Sequence, residues 1–209
     1  MNKIIIVGSG NDFDAKKIID EAHYADYIIA SDGGYTILKD CGIKPDIIIG
    51  DMDSITCEID QDITINKYPV DKDLSDSELS LQYAISMNPV IIKLFAVTGC
   101  YFDHSFANVL NLFRNDTEST MIEIVTANST IFTVKSGGYS LSNLNGRRVS
   151  LFFLSPVTDF RLTGFKYNFS QTDLSPFDYS LSNVINDDDA VISFTDGKVI
   201  CIVFDGGYE

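Results

Sequence analysis

Short apolar runs punctuate the first two thirds of the chain. Ile4-Ile5-Ile6-Val7 is continuous and β-branched, the pattern of a strand covered on both faces. Tyr27-Ile28-Ile29-Ala30 and Asp46-Ile47-Ile48-Ile49 repeat it, and a further run begins at Val90-Ile91-Ile92 and reaches Val97. Between these runs lie amphipathic stretches that predict helices over 14–24, 35–41, 79–87 and 106–113. In the last, Phe106, Val109, Leu110 and Phe113 fall at i, i+3, i+4 and i+7, predicting one apolar face. Strands alternating with helices imply a mostly parallel sheet with crossover helices, whose ligands gather beyond the carboxyl ends of the strands.

After about Asn128 the period changes. Ser136-Gly137-Gly138, Asn145-Gly146 and Asp196-Gly197 read as turns between β-rich runs, with strands expected at 149–154 and 165–169. Ala190–Phe194, Asp196-Gly197 and Val199–Phe204 together predict a hairpin. The expected architecture is therefore α/β. A Rossmann-like, mostly parallel sheet with flanking helices occupies 1–128, and an all-β sandwich or partial barrel occupies 129–209.

Composition narrows the function. With 45% hydrophobic and 11% aromatic residues in 209, the chain has ample material for a core. Fifteen basic against thirty acidic residues give a net charge of −15. Such a surface repels phosphate backbones, so no nucleic-acid partner is expected. No apolar run approaches the roughly 20 residues that span a bilayer, and none has the length of a secretory core, so no membrane partner is expected. Cys41, Cys57, Cys100 and Cys201 are scattered, which suits reduced thiols and a cytoplasmic protein.

Four motifs follow strand-like runs. Ser31-Asp32-Gly33-Gly34 reads either as a capped turn or as a close backbone approach to an anionic ligand. Gly50-Asp51-Met52-Asp53-Ser54 sets two carboxylates one residue apart at a strand terminus, where they repel unless a cation joins them. Mg²⁺ prefers such oxygen ligands while keeping room for substrate phosphates. In Asp71-Lys72-Asp73-Leu74-Ser75-Asp76-Ser77-Glu78, Ser75 and Glu78 match a capping box. The box leaves Lys72 and Asp73 unexplained, and it places Asp76 in the first turn of a helix. Gly99-Cys100-Tyr101-Phe102-Asp103-His104 comes last, with Asp103 as a default N-cap and His104 lacking any second soft ligand nearby. Gly8-Ser9-Gly10 reads as a plain turn. A parallel sheet brings these acids to one edge. No phosphate-cradling Gly-x-x-x-x-Gly-Lys-Ser/Thr loop is present, so a phosphate enzyme here relies on a carboxylate-held metal.

The order and spacing of these motifs resemble the thiamine pyrophosphokinase (thiamine diphosphokinase) family. The resemblance runs from Asp32-Gly33-Gly34 through Pro45-Asp46, Gly50–Ser54, Lys72–Asp76 and Gly99–His104 with Asn108. It resumes at Thr163–Tyr167 and Ser182-Asn183. It implies Mg²⁺-dependent transfer of the terminal two phosphates of ATP to the hydroxyl of thiamine, giving thiamine diphosphate and AMP, by a homodimer. By motif match, Asp51, Asp53 and Asp76 would hold Mg²⁺ with catalytic Asp73 close by. Asp32, Gly33, Gly34, Lys72, Asp103 and His104 would line the nucleotide and phosphate cleft. Tyr167 would offer an aromatic face to the thiazolium, and Ser182 and Asn183 hydrogen bonds to the pyrimidine. Asp73 or Asp103 would accept the hydroxyl proton. The family pattern Gly-Gly-Arg-x-Asp-His is here Gly99-Cys100-Tyr101-Phe102-Asp103-His104, which lacks the arginine, and Tyr101 is expected to stack on the base instead. The rival readings are a pyrophosphokinase for another hydroxymethyl heterocycle, such as a pterin, and a non-catalytic thiamine or nucleotide sensor.

Overall fold

The computed structural model describes residues 1–206, with the side chains of Gln171 and Thr172 excluded. Two compact units divide the chain, Met1–Ala127 and the segment from Asn128 onward.

In the first unit six strands are paired in parallel throughout: β1 (Lys3–Val7), β2 (Tyr27–Ser31), β3 (Ile47–Gly50), β4 (Thr64–Lys67), β5 (Ile91–Phe95) and β6 (Met121–Val125). Their order is β6-β5-β1-β2-β3-β4, so the chain reverses its direction of travel at β1. Ile4, Ile5, Ile6, Ile29, Ile48 and Ile49 are fully buried, as their continuous apolar runs require. The short and largely exposed β4 has no such run, and the pattern of apolar residues does not reveal it.

The connecting helices are α1 (Ala15–Ala22), α2 (Gly34–Asp40), α3 (Asp76–Ser86) and α4 (Phe102–Asn115). Asp14 caps α1 by accepting the Lys16 amide. Ser75 caps α3 by accepting the Glu78 amide at 3.2 Å, the capping-box bond. Arg114 claims the Glu78 carboxylate. The apolar face expected of α4 is turned the wrong way. Asn108 and Leu112 are its buried residues, whereas Phe106 and Leu110 are exposed and Phe102 is 83% exposed. The inward position belongs to Asn108 because its Nδ2 donates to Val97 O at 2.7 Å, tying α4 to the loop after β5.

The second unit is entirely β: β7 (Ser129–Ser142), β8 (Arg148–Phe153), β9 (Val157–Thr163), β10 (Phe169–Leu174), β11 (Tyr179–Val184) and β12 (Asp189–Phe204). Every pairing among them is antiparallel. The expected hairpin at Asp196-Gly197 does not form. β12 runs straight through it for 16 residues, paired with β7 from Asp189↔Ser142 to Phe204↔Ser129. Both glycine signals mark a shared irregularity instead, since the register shifts between Phe194↔Gly137 and Lys198↔Lys135. There β12 changes its other neighbour, from β9 over Val191–Asp196 to β8 over Val199–Val203. Of residues 165–169, expected as a strand, 165–168 join β9 to β10, with Phe165 making an isolated bridge to Ile185, and Phe169 opens β10. The core of this unit is aromatic at its centre, where Phe160 meets Phe153 edge-on and stacks near Phe194.

Candidate active site

The carboxyl ends of β2 and β3 lie side by side, and the backbone there is unusual. Asp32, Gly50 and Met52 all have positive φ, at 46°, 153° and 73°. Gly50 is required: a Cβ at this position would lie 2.8 Å from Asp32 Cβ and 3.1 Å from Asp76 Oδ1. The missing side chain thus leaves room for Asp32 and Asp76 on either side of the turn. Asp32 does not cap α2. Gly33 occupies the N-cap position without any side-chain bond, and Asp32 Oδ1 accepts the Met52 amide at 3.0 Å, which fixes the turn after β3. Gly34 packs so tightly that a Cβ would lie 1.8 Å from Val7 O, which makes it structural.

Asp32, Asp51 and Asp53 each present a carboxylate oxygen, and these oxygens all lie within 4.8 Å of one another. Asp32 is buried, Asp51 half-buried and Asp53 exposed, so the group opens outward. Asp51 Oδ1 accepts the Asp53 amide, and Asp53 Oδ1 accepts the Ser54 hydroxyl. Asp76 stands across from this group, joined to it through Lys72. The Lys72 ammonium is 2.9 Å from Asp51 Oδ2 and 3.1 Å from Asp76 Oδ1. The hydrogen bond from Lys72 holds the Asp51 carboxyl below its usual range, with the Asp53 amide helping. Burial does the opposite to Asp76, raising its pKa despite Lys72, and the nearby charges of Asp51 and Asp32 add to the rise.

Asp32, Asp51, Lys72 and Asp76 line a cavity of about 420 Å³, shared with Ser9, Ser31, Ser54, Asp73, Tyr101 and His104. Asp73, Tyr101 and His104, picked from sequence, therefore border the same cavity as Asp32, Asp51 and Asp76. Asp103 lies in the adjoining cavity with Ser75, Ser77 and His104. It is not the N-cap of α4, a position held by Tyr101 without a side-chain bond, and its Oδ1 accepts the His104 amide. The Tyr101 and His104 rings lie 5.7 Å apart, tilted by 45°. Both also border a third cavity lined by Ser9, Gly10 and the loop Ala96–Cys100. The Gly8-Ser9-Gly10 segment, read as a plain turn, is a wall of the site. Cβ atoms on Gly8 and Gly10 would meet Ala96 O at 2.6 Å and Thr98 O at 2.3 Å. Two glycines straight after a strand are the signal that reading passed over.

In the second unit, Asn183 is buried and its side chain is spent on the backbone. Its Oδ1 accepts the Tyr167 and Val184 amides, and its Nδ2 donates to Tyr167 O. This fixes the segment whose Tyr167 ring is exposed, with the Lys166 ammonium 5.4 Å from the ring centroid. Ser182 has φ 59° and donates its amide to Ser150 Oγ.

Comparison with known proteins finds matches over both units of the chain. The family model described as the thiamin pyrophosphokinase catalytic domain matches residues 18–125, and that described as the thiamin pyrophosphokinase vitamin B1 binding domain matches residues 130–199. Thiamine pyrophosphokinase of Bacillus subtilis (strain 168) is 29% identical over 182 residues, covering 83% of this chain and 85% of the relative. The crystal structure of thiamine pyrophosphokinase from Bacillus subtilis superposes with TM-score 0.82 at 26% identity, covering 96% of this chain and 98% of that one. The Geobacillus thermodenitrificans structure gives 0.81 at 27%, covering 97% of each chain. The yeast enzyme, at 14% identity and TM-score 0.78 with 97% of this chain and 86% of that one covered, shares the fold. Matched in order by both models, the α/β unit and the all-β unit that follows it place this chain in the thiamine pyrophosphokinase family.

Proposed function

We propose that the chain transfers the pyrophosphoryl group of ATP to the hydroxyl of thiamine, with nucleotide and Mg²⁺ handled by the first unit and thiamine recognised by residues of the second. The observation that carries this reading is the convergence of Asp32, Asp51 and Asp53 on one point at the carboxyl edge of a parallel sheet. The donor set suits Mg²⁺, being all carboxylate and open on one side for water and phosphate. Asp76 Oδ1 strengthens the fit, since it is shielded from solvent and faces a cation already, the Lys72 ammonium at 3.1 Å. We assign Asp32, Asp51 and Asp53 as the holders of the ion, with Asp76 completing the set. When bound, Mg²⁺ neutralises the charge that builds on the transferring phosphates.

The remaining work belongs to positioning and to one proton. The thiamine oxygen attacks the β-phosphorus, a new O–P bond forms, and the bond from that phosphorus to the α,β-bridging oxygen breaks as AMP departs. Asp73, exposed and bordering the acid cavity, receives the hydroxyl proton. Asp103 is less suited, because it lies in the neighbouring cavity and its oxygen is engaged by the His104 amide. Tyr101 supplies an aromatic face where the family pattern has an arginine. Tyr167 offers its exposed ring to the thiazolium, held in place by Asn183, and Ser182 lies beside it in sequence.

A homodimer and a cytoplasmic setting belong to the same proposal. The one-sided pairing of β11, with Tyr179 and Leu181 exposed, supports self-association, which sedimentation would measure. Among the described residues, no helix is long and apolar enough to cross a membrane. The deciding assay is direct: purified protein, ATP, Mg²⁺ and thiamine yield AMP and thiamine diphosphate. Absence of AMP would sink the assignment. Faster AMP release with a hydroxymethyl pterin than with thiamine would move it to another heterocycle.

A further inference from the structure

We infer that Lys72 is an internal counter-cation that a metal ion must displace, so that the site loads Mg²⁺ together with nucleotide rather than before it. The inference rests on the metal-nucleotide reading above.

Lys72 lies in the segment between β4 and α3, and its ammonium makes a compact set of contacts. It donates to Asp51 Oδ2 at 2.9 Å and to Pro69 O at 3.1 Å, with Asp76 Oδ1 at 3.1 Å as an ion-pair neighbour. Its side chain is 13% exposed and that of Asp51 9%, so this charge pair is well shielded from solvent. Asp51 is therefore committed twice. Its Oδ1 accepts the Asp53 amide and its Oδ2 the Lys72 ammonium, while the carboxylate also belongs to the group it forms with Asp32 and Asp53. A divalent ion drawn to Asp51 and Asp76 would sit within a few ångströms of the ammonium, and two cations that close repel strongly at low local dielectric. One of them has to leave. The metal, with Asp32 and Asp53 also on offer, stays, and the lysine goes.

Leaving carries a cost when there is nowhere to go, because Asp51 and Asp76 lose a partner and the ammonium must find another anion. Nucleotide phosphates remove that cost. The cavity beside Lys72 holds about 420 Å³, and a lysine stem swings through several rotatable bonds. Phosphate arriving there accepts the ammonium as the metal takes its place. Each ligand then favours the other by the same factor, as linkage demands. A bare acid cluster would instead collect divalent ions without nucleotide and hold them.

Mn²⁺ paramagnetic resonance tests this on the whole protein, with and without α,β-methylene-ATP and with correction for metal held by the analogue in solution. Wild type should bind Mn²⁺ weakly alone and at least about tenfold more tightly with the analogue. Lys72→Met should bind bare Mn²⁺ about tenfold more tightly than wild type and lose most of the gain from the analogue. Equal or weaker bare-metal binding by Lys72→Met would overturn the inference while leaving the metal site standing. Asp53→Asn binding Mn²⁺ as wild type does would remove the metal site, and this inference with it. Should Lys72→Met fail to fold, acetylation of wild-type Lys72 followed by mass spectrometry gives the same answer. Mg²⁺ raised until the weak bare-metal site saturates should increase its labelling severalfold as the ammonium is expelled, and unchanged labelling at metal saturation overturns the displacement.

Discussion

Glycine 50 shows how one missing side chain can shape a site. Its φ of 153° and the 2.8 Å approach of any Cβ to Asp32 mean that Gly50→Ala must open the turn between the acids. A loss of stability of about 2 kcal/mol is expected in urea denaturation, with turnover falling more steeply than stability explains. Asp53→Asn offers the contrasting case. Asp53 is exposed and contributes little to packing, so the thermal midpoint should hold while turnover drops by a hundredfold or more, roughly the effect of removing a metal ligand. In the second unit, Tyr167→Ala should raise the KM for thiamine more than it lowers kcat, as expected for a ring that binds substrate but touches no reacting atom. The motif residues were legible in the sequence because Asp-x-Asp after a buried strand has few structural uses. What Asp32 and Asp103 do was not legible. A strand-to-helix aspartate looks like a cap, and only the folded chain shows Asp32 turned toward Met52 and Asp103 bonded to its own neighbour.

Elements were readable where burial is continuous and misread where it is not. β1, β2, β3 and β5 announce themselves as β-branched runs, but β4 is largely exposed and leaves no such trace. In the second unit, Asp196-Gly197 and Gly137-Gly138 imitate hairpin turns because glycine serves an irregular strand as readily as a loop. The distinction has a measurable consequence. A Cβ on Gly197 would lie 2.4 Å from Pro156 O, whereas one on Gly137 meets nothing within 4 Å. Gly197→Ala should therefore cost several kcal/mol and Gly137→Ala only about 1 kcal/mol, the backbone cost of positive φ alone. Helix α1 is fastened to the sheet by charge. Burial would raise the pKa of Glu21, yet hydrogen bonds from Lys3 on β1 and Lys93 on β5 outweigh it and leave it below the usual range. A lowered carboxyl stabilises the fold above its unfolded pKa, and that contribution disappears as pH falls through the folded value. Glu21→Gln should thus cost about 1 kcal/mol at neutral pH once solvent screening is allowed for, and the gap from wild type should close as pH falls from the ordinary carboxyl range through the lower folded value.

For the molecule as a whole, the change of period near Asn128 was visible in sequence because strands with helices and strands alone have different rhythms. How β12 serves two neighbours in succession was not visible, since pairing partners are a long-range property that a local window does not carry. Charge also acts at this scale. With −15 on 209 residues, self-repulsion among carboxylates opposes compactness, and a divalent ion that binds only the folded chain should raise the thermal midpoint more than its ionic strength alone. The outward-facing ridge of α4 gives that charge a second meaning. Phe102 stacks on Phe106 at 6.0 Å, and Phe177 stands 83% exposed on the second unit. Colloidal repulsion keeps such greasy spots apart in dilute neutral buffer. Once acid titrates the carboxylates away, that repulsion fails and the chain should come out of solution, a turbidity that returns to clarity on neutralisation if the fold has survived.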